Sequence, residues 1–319
     1  MNQHFYKKLL SFTFYYSGII FILNKFHREK TVRFLMYHKV KYKNFEQQMA
    51  YLTNNFEVIN PLSAVERIKK GVVSGKEIVI TFDDGLKNTY INAYPILKKL
   101  RIPATLFLTT GYIGTSNLSW WNSISIFLGS CTIEQLKLII PLNKKTFSSY
   151  KLAKYKRCPQ KLIDVLKNCD DKTRVIIVNR ITKPIHNKLE NIEYDNLFIS
   201  WKEVYEMSGV FNFGAHTHTH PILTKCSIHK AKNEIIKSKK IIKRKLGIVA
   251  KGFCYPNGNF NIKIINLVTS LGFEYACTTI NGAMRTEGDI FTIKRIGINI
   301  DDNLNDFKLK LSPLWSLIK

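Results

Sequence analysis

The feature that most restricts the fold is a short β-branched stretch, 78–82, that runs directly into Asp83, Asp84 and Gly85. A strand of this kind is typical of a parallel sheet that helices cover on both faces. Two adjacent carboxylates at its end are costly to bury unless a cation or hydrogen bonds compensate them. Asp-Asp-Gly is also an ordinary surface turn, and the stretch alone does not decide between these two interpretations.

Strand-like and helix-like stretches alternate around this point, as expected for successive βαβ units. The predicted strands are 33–37, 78–82, 104–108, 210–215, 252–255, 274–278 and 291–298, and the predicted helices include 88–100, 227–246 and 261–271. Ser63 and Glu66 form an S-x-x-E pattern that predicts a capping box, and Gly71 ends that helix. The order indicates a barrel-like or open parallel sheet with its sites at the carboxyl ends of the strands.

Two segments depart from this alternation. Residues from about 119 to 200 are Lys-rich and mainly helical in pattern, which we interpret as a helical insertion within one domain, 29–319. Residues 1–28 contain the apolar run 9–23, which is shorter than the roughly 20 residues of a spanning helix. We expect this segment to associate with a membrane surface, the alternative being a helix packed on the domain. Positive charge is heavier after the run than before it, which favours the cytoplasmic face for the domain.

The charge balance suggests an anionic partner without identifying one. There are 49 basic and 23 acidic side chains, a net charge of +26 that either favours an anionic surface or reflects a Lys-rich composition. No nucleic-acid motif accompanies the charge, so we expect no nucleic-acid partner. The six cysteines form no C-x-x-C pair, which predicts free thiols and a reducing compartment. Nothing in the sequence indicates the oligomeric state.

A second cluster of polar residues follows another predicted strand, 210–215. Three of the eight histidines are His216, His218 and His220. Helical spacing would bring His216 and His220 to one face, and an extended backbone would add His218. Histidines clustered at a strand end more often bind a metal than pack in a core. With one aspartate, two imidazoles form a ligand set for Zn²⁺ or another divalent ion with open coordination positions.

Together these motifs resemble the polysaccharide deacetylase superfamily, the NodB-homology or carbohydrate esterase family 4 group. The resemblance extends over about 34–298 and implies a distorted (β/α)7-type barrel. The family's T-F-D-D-G motif implies that Asp83 is the catalytic base and Asp84 a metal ligand. Its H-[ST]-x-x-H motif implies that His216 and His220 are the other two ligands. The implied activity is metal-dependent removal of N-acetyl groups from a sugar in a polysaccharide or lipid-linked glycan, with metal-activated water attacking and Asp83 accepting its proton.

Further residues are implied by the same resemblance. The stretch 253–258 resembles a Y-P-x-G motif in which the backbone N–H of Tyr255 helps to form an oxyanion hole, and Pro256 belongs to that substrate-binding motif. The first strand of the domain and the residues after it, 35–40, include His38 and resemble the Y-H-x-V strand of bacterial exopolysaccharide and biofilm deacetylases. We predict that Trp121 and Trp201 stack on sugar rings, with core packing as the alternative. Arg295 is a further candidate for the substrate site or for orienting Asp83.

One departure from the family concerns the general acid. Many relatives use a late L-x-H motif, but no histidine follows His229 in this chain. His38, His218 or water therefore remain candidates for the proton donor. The departure also leaves open a catalytically impaired protein that only binds glycan. An Fe(II) oxygenase is a weaker alternative, because its facial triad usually has H-x-D/E close together.

Overall fold

The computed structural model describes residues 30–139, 154–182, 197–312 and 315. The predicted membrane-associating segment, 1–28, lies outside the described residues, as do parts of the predicted insertion. Within the described part, no helix combines the length and the apolar character needed to cross a membrane. All six cysteines are described, and each is a free thiol, as the sequence predicts.

A curled, mainly parallel sheet forms the centre of the molecule. Its strands are β1 (Thr31–Tyr37), β2 (Glu57–Val58), β3 (Glu77–Phe82), β4 (Ala104–Leu108), β5 (Phe211–Ala215), β6 (Gly252–Cys254), β7 (Tyr275–Cys277), β8 (Met284–Arg285) and β9 (Ile296–Gly297). The order is β7-β6-β5-β4-β3-β1-β8, with β2 also on β3 and β9 also on β1. The pairing of β8 with β1 is antiparallel, and every other pairing among these strands is parallel.

The segment 293–297 joins the two ends of this sheet. Ile293 forms a parallel bridge with Cys277 of β7, and Ile296 pairs with Leu35 of β1 a few residues later. The predicted strand 291–298 is therefore a regular strand only at β9, because the segment leaves one neighbour and joins another. The mixed α/β architecture with a barrel-like sheet is confirmed.

Helices cover the outside of the sheet. They are α1 (Tyr42–Asn55), α2 (Pro61–Lys70), α3 (Tyr94–Leu100), α4 (Trp120–Ser130), α5 (Ile133–Ile139), α6 (Pro159–Asn168), α7 (Asp171–Thr182), α8 (Trp201–Glu206), α9 (Ile228–Leu246), α10 (Ile262–Ser270) and α11 (Leu304–Leu311). The predicted helix 88–100 begins with a π-helical turn, Thr89–Ala93, before α3. The predicted helices 227–246 and 261–271 correspond to α9 and α10.

The predicted capping box of α2 is wrong, although Gly71 does end the helix. Asn60 is the N-cap, its side chain accepts the Ser63 N–H, and Pro61 occupies the first helical position. Proline suits that position because the N–H that it lacks would have no partner in the helix. Gly71 adopts φ 69°, which glycine tolerates better than any other residue.

Side chains of the strands alternate between two apolar layers. Ile78, Ile80 and Phe82 of β3 pack in the layer beneath the helices, and Val79 packs in a second cluster inside the curl of the sheet. This inner cluster is crowded: a Cβ at Gly214 would lie 2.4 Å from the Phe107 ring. By the alternation of strand side chains, Thr81 and then Asp83 continue the inward series. The fold therefore directs the first aspartate of the motif into the interior.

The chain between β4 and β5 builds a separate apolar cluster. Most of its buried residues come from α4, α5, α6 and α7, including Trp120, Ile124, Leu162, Leu166 and Ile177. Helices in this region match the helical pattern of the sequence. The division of the chain into segments at 28, 119 and 200 stays a prediction.

Candidate metal centre and catalytic base

Asp83 lies at the carboxyl end of β3, where a buried arginine holds both of its carboxylate oxygens. Arg295 Nη1 donates to Asp83 Oδ1 at 2.8 Å, and Nη2 donates to Oδ2 at 2.7 Å. The same guanidinium donates to the Thr81 hydroxyl at 3.0 Å and the Thr278 carbonyl at 2.8 Å. Such a bidentate pair fixes both the position and the plane of the carboxylate.

Burial and the arginine act on the pKa of Asp83 in opposite directions. Burial raises the pKa, but the charge and hydrogen bonds of Arg295 outweigh it, so the pKa of Asp83 lies below its ordinary value. Asp83 is 2% exposed and Arg295 has no exposed surface. Arg295 therefore cannot contact a glycan directly, and its contacts are those of a residue that orients Asp83.

The backbone turns at Asp84, the residue that follows Asp83. Its φ is 73°, in the left-handed region, and Gly85 follows with φ 81°. A Cβ at Gly85 would lie 2.5 Å from Ile113 Cδ1, so the turn also needs glycine for space. The left-handed backbone at Asp84 and Gly85 thus sets the direction of the Asp84 carboxylate.

The two histidines of the second motif lie on a compact turn after β5. Thr217 and His220 both have positive φ, 64° and 57°. This conformation is neither helical nor extended, and it brings the Nε2 atoms of His216 and His220 within 3.1 Å of each other. His218 points elsewhere, with its Nδ1 3.1 Å from the Thr110 hydroxyl.

Asp84, His216 and His220 present three ligand atoms to one point. Asp84 Oδ1 lies 3.5 Å from the Nε2 atom of each histidine. Tetrahedral Zn²⁺ with bonds of about 2.0–2.1 Å requires its ligand atoms to be about 3.3 Å apart. Asp84 Oδ1 is also buried without a hydrogen-bond partner among the described residues. An unsatisfied carboxylate oxygen facing two imidazole nitrogens fits a divalent cation.

The surroundings of His216 set its tautomer. Its Nδ1 lies 2.7 Å from the Cys254 carbonyl and donates to it, which leaves Nε2 with a lone pair toward Asp84 and His220. A backbone carbonyl in this position is the usual partner of a metal-binding histidine. Burial lowers the pKa of His220 to about 3. His220 is therefore neutral at physiological pH, as a ligand must be.

Two other predicted catalytic residues have different surroundings. His38 follows β1, with its Nε2 4.0 Å from Asp83 Oδ2 and its side chain 49% exposed. It is thus close to the base and open to solvent. The Tyr255 N–H donates to the Cys277 carbonyl at 3.1 Å. The oxyanion role that the resemblance implies would require the Tyr255 N–H to share or give up that bond.

The predicted sugar-binding residues differ in their positions. The half-buried Trp121 ring lies 4.6 Å from the His220 ring, centroid to centroid, and so borders the ligand cluster. Trp201 packs against Gly114, where a Cβ would lie 2.9 Å from its Cδ1, and its contacts are those of a packing residue. Pro256 is buried at the start of a short 3₁₀ turn. Of these three residues, Trp121 is the one next to a candidate metal ligand, His220.

Several residues of the site escaped the sequence analysis. Cys254 receives a hydrogen bond from Arg295 Nη2 at 3.1 Å, and its thiol lies 3.6 Å from Asp83 Oδ2. Trp120 Nε1 donates to the His220 carbonyl, and Glu234 accepts bonds from the histidine turn. Glu234 lies in a helix that the sequence identifies by periodicity alone, so no local signal marked it.

Comparison with known proteins identifies relatives of the chain. The sequence profile of the family described as polysaccharide deacetylase matches residues 70–140 and 144–276, which is more than half of the chain. A poly-β-1,6-N-acetyl-D-glucosamine N-deacetylase of Staphylococcus aureus is 36% identical over 89 residues. The counterpart from Staphylococcus epidermidis is 33% identical over the same length. The match covers 28% of this chain and 31% of each relative.

Solved structures share the fold over most of the chain. The Streptococcus pyogenes deacetylase PplD, solved with acetate, aligns with a TM-score of 0.59 at 18% identity. IcaB from Ammonifex degensii aligns with a TM-score of 0.58, also at 18% identity. Both alignments cover 89% of this chain and 99% of the other. At this identity the likeness concerns the fold.

Proposed function

We propose, from the premise that this chain belongs to the polysaccharide deacetylase family, that it removes N-acetyl groups from an N-acetylated glycan in a divalent-metal-dependent hydrolysis. The observation that carries the proposal is the convergence of Asp84, His216 and His220 beside a separately held Asp83. Asp84 faces the two imidazoles, whereas both oxygens of the neighbouring Asp83 are held by Arg295. A protein that only bound glycan would not need this division.

Asp84, His216 and His220 would hold the ion, and Zn²⁺ fits their donor set. When bound, a divalent ion supplies Lewis-acid activation of water and of the acetyl carbonyl. Asp84 suits this role because its buried Oδ1 faces both Nε2 atoms and has no hydrogen-bond partner among the described residues. The Cys254 carbonyl keeps the proton of His216 on Nδ1 and so keeps Nε2 available as a ligand atom.

Asp83 is the proposed general base. Arg295 keeps it ionised and aligned, so that Asp83 can accept a proton from the attacking water. The Cys254 thiol supports the same carboxylate, because burial raises the pKa of Cys254 and keeps the thiol protonated as a donor. These contacts hold the base while leaving it outside the set of ligand atoms.

His38 is the proposed proton donor to the departing amine. It is the candidate for which the geometry gives support, since it lies near Asp83 and is half exposed to an arriving substrate. His218, the other histidine candidate, faces Thr110 instead. Trp121 would cover one side of a sugar ring next to His220.

We take the substrate to be a polymer or oligomer of N-acetylglucosamine. Support comes from the Staphylococcus relatives, which are poly-β-1,6-N-acetyl-D-glucosamine N-deacetylases. The match to this chain covers about a third of the length of those relatives, so the substrate is part of the proposal. A lipid-linked glycan is the alternative substrate of the same chemistry.

Acetate release from β-1,6-linked N-acetylglucosamine oligomers tests the proposal. Wild-type protein should release acetate in the presence of Zn²⁺, and a chelator should abolish the release. Asp83→Asn should lower kcat by at least about 10²-fold while Zn²⁺ binding persists, because Asp83 is not a ligand. The matched control is Asp301→Asn, which neutralises a carboxylate that is 64% exposed and paired with Lys41. If wild type and Asp83→Asn bind the oligomers equally and neither releases acetate, the glycan-binding alternative is correct.

A membrane location is a further proposal. It rests on the apolar run 9–23 and the basic residues that follow it, with the domain on the cytoplasmic face. Cell fractionation of the full chain and of a chain beginning at Arg28 tests this proposal. The full chain should sediment with membranes and the shortened chain should not; equal solubility of the two would refute it.

A further inference from the structure

We infer that Glu234, a residue of α9 distant in sequence from the motifs, is the positioning residue that holds the histidine turn in its metal-binding shape. This inference rests on the proposed metal centre. Glu234 Oε2 accepts the His218 N–H at 2.9 Å and the Thr219 N–H at 2.7 Å, and Oε1 accepts the Thr219 hydroxyl at 2.7 Å. One carboxylate thus receives three hydrogen bonds from the two residues that lie between His216 and His220.

The histidine turn, 216–220, has a conformation that must be held from outside. Thr217 and His220 both have left-handed backbone, which is unfavourable for residues other than glycine. Thr217 and His220 lie on either side of His218 and Thr219, the two residues that donate hydrogen bonds to Glu234. If the turn relaxed to extended or helical backbone, the 3.1 Å separation of the two Nε2 atoms would be lost.

The remaining backbone groups of the turn are bound by a different part of the chain. The carbonyls of residues 217–220 accept, in order, the Thr110 N–H, the Gly111 N–H, the Tyr112 hydroxyl and the Trp120 indole N–H. The His220 N–H donates to the Thr217 hydroxyl within the turn. The carbonyl side of the turn is therefore held by the segment after β4, and the N–H groups of His218 and Thr219 by Glu234.

A carboxylate suits this position for a physical reason. Two neighbouring N–H groups and a hydroxyl all point at one side chain, and an ionised carboxylate accepts all three without having a proton to place among them. Hydrogen bonds to a charged acceptor are about twice as strong as neutral ones. Glutamine would keep the length of the side chain, but its NH₂ group would face one of these donors.

Zinc affinity of the full chain tests the inference without reference to catalysis. Competition with a fluorescent zinc chelator should show Zn²⁺ binding about 10–100-fold weaker in Glu234→Gln than in wild type, the range for outer-shell partners. Glu234→Asp keeps the charge with a shorter reach and should recover part of the affinity. The matched control, Glu274→Gln, removes a half-exposed carboxylate paired with Lys251 and should bind Zn²⁺ as wild type does.

The Co²⁺-loaded proteins give a signature that a purely structural role would not change. The visible absorption of Co²⁺ reports ligand geometry, so Glu234→Gln should alter its position or intensity while circular dichroism shows a folded chain. Wild-type zinc affinity and an unchanged Co²⁺ spectrum in Glu234→Gln would overturn the inference. If Glu234→Gln does not fold, equal affinity of Glu234→Asp and wild type would overturn it. Wild type that binds Zn²⁺ tightly but releases no acetate would contradict the proposed function and leave the role of Glu234 standing.

Discussion

Replacement of Arg295 by methionine tests how the base is kept ionised. The change removes both hydrogen bonds to Asp83 and leaves the carboxylate buried without its counter-charge. Breaking a buried ion pair costs about 3–5 kcal/mol when the remaining charge is uncompensated. Asp83 would avoid part of this cost by taking up a proton, since buried carboxyl groups can have pKa values raised by about 3–5 units.

The sign of the pH dependence follows from the pKa of Asp83 in folded wild type and in folded Arg295→Met, each compared with its value in the unfolded chain. In wild type the pKa of Asp83 is depressed, so its contribution to stability is present above the unfolded pKa and is lost as the pH falls through the folded pKa. In Arg295→Met the folded pKa is raised above the unfolded value of about 3.9, so the variant loses stability as the pH rises toward the new pKa. If the folded pKa of Asp83 rises about three units above the unfolded value, the free energy of unfolding at pH 8 falls by about 4 kcal/mol. Near pH 5 the loss is about 2.5 kcal/mol smaller, because protonated Asp83 tolerates burial.

Urea unfolding of the metal-free proteins, followed by tryptophan fluorescence at about pH 5 and pH 8, measures this difference. The variant also loses the hydrogen bonds from Arg295 to Thr278 and Thr81, and this contribution to the loss of stability does not depend on pH. Lys41→Met is the control, because Lys41 pairs with Asp301 where both side chains are more than half exposed, so no buried carboxylate loses its counter-charge. The reasoning is refuted if the stability difference between wild type and Arg295→Met is the same at both pH values. The variant should also have its acidic limb of kcat/KM at higher pH than wild type.

Three further predictions concern the proton donor, the turn and the aromatic wall. His38→Gln should lower kcat by about 10²-fold or more with unchanged Zn²⁺ affinity, whereas near-wild-type kcat would indicate that water donates the proton. Gly85→Ala should weaken Zn²⁺ binding in the chelator assay, because the added Cβ would meet Ile113 and displace the turn at Asp84. Gly71→Ala is the control, because Gly71 also has positive φ, 69°, but a Cβ there would have no atom within 4 Å. This control should lose about 1 kcal/mol of stability and keep the zinc affinity of wild type. Trp121→Ala should lower kcat/KM for N-acetylglucosamine oligomers by up to about tenfold, and an unchanged value would assign Trp121 to packing.

The strand that carries the aspartates, the α/β class and the types of candidate ligand could all be predicted from the sequence. These depend on local properties: β-branched runs form strands, and carboxylates or imidazoles after a strand lie at its carboxyl end. The resemblance also indicated which aspartate belongs to the metal and which to the base. The residues that carry chemistry were thus recognisable because their identity and spacing are themselves the signal.

How those residues are held follows mainly from contacts between distant parts of the chain, although Arg295 was already a candidate for orienting Asp83. Asp83 and Arg295 are 212 residues apart in sequence, and Glu234 reaches the histidine turn from a helix whose pattern reports only burial. The direction of Asp84 and the separation of His216 from His220 follow from left-handed backbone that neighbouring segments stabilise. Such conformations are unfavourable in isolation, so they exist only where packing and hydrogen bonds from distant parts of the chain offset their cost.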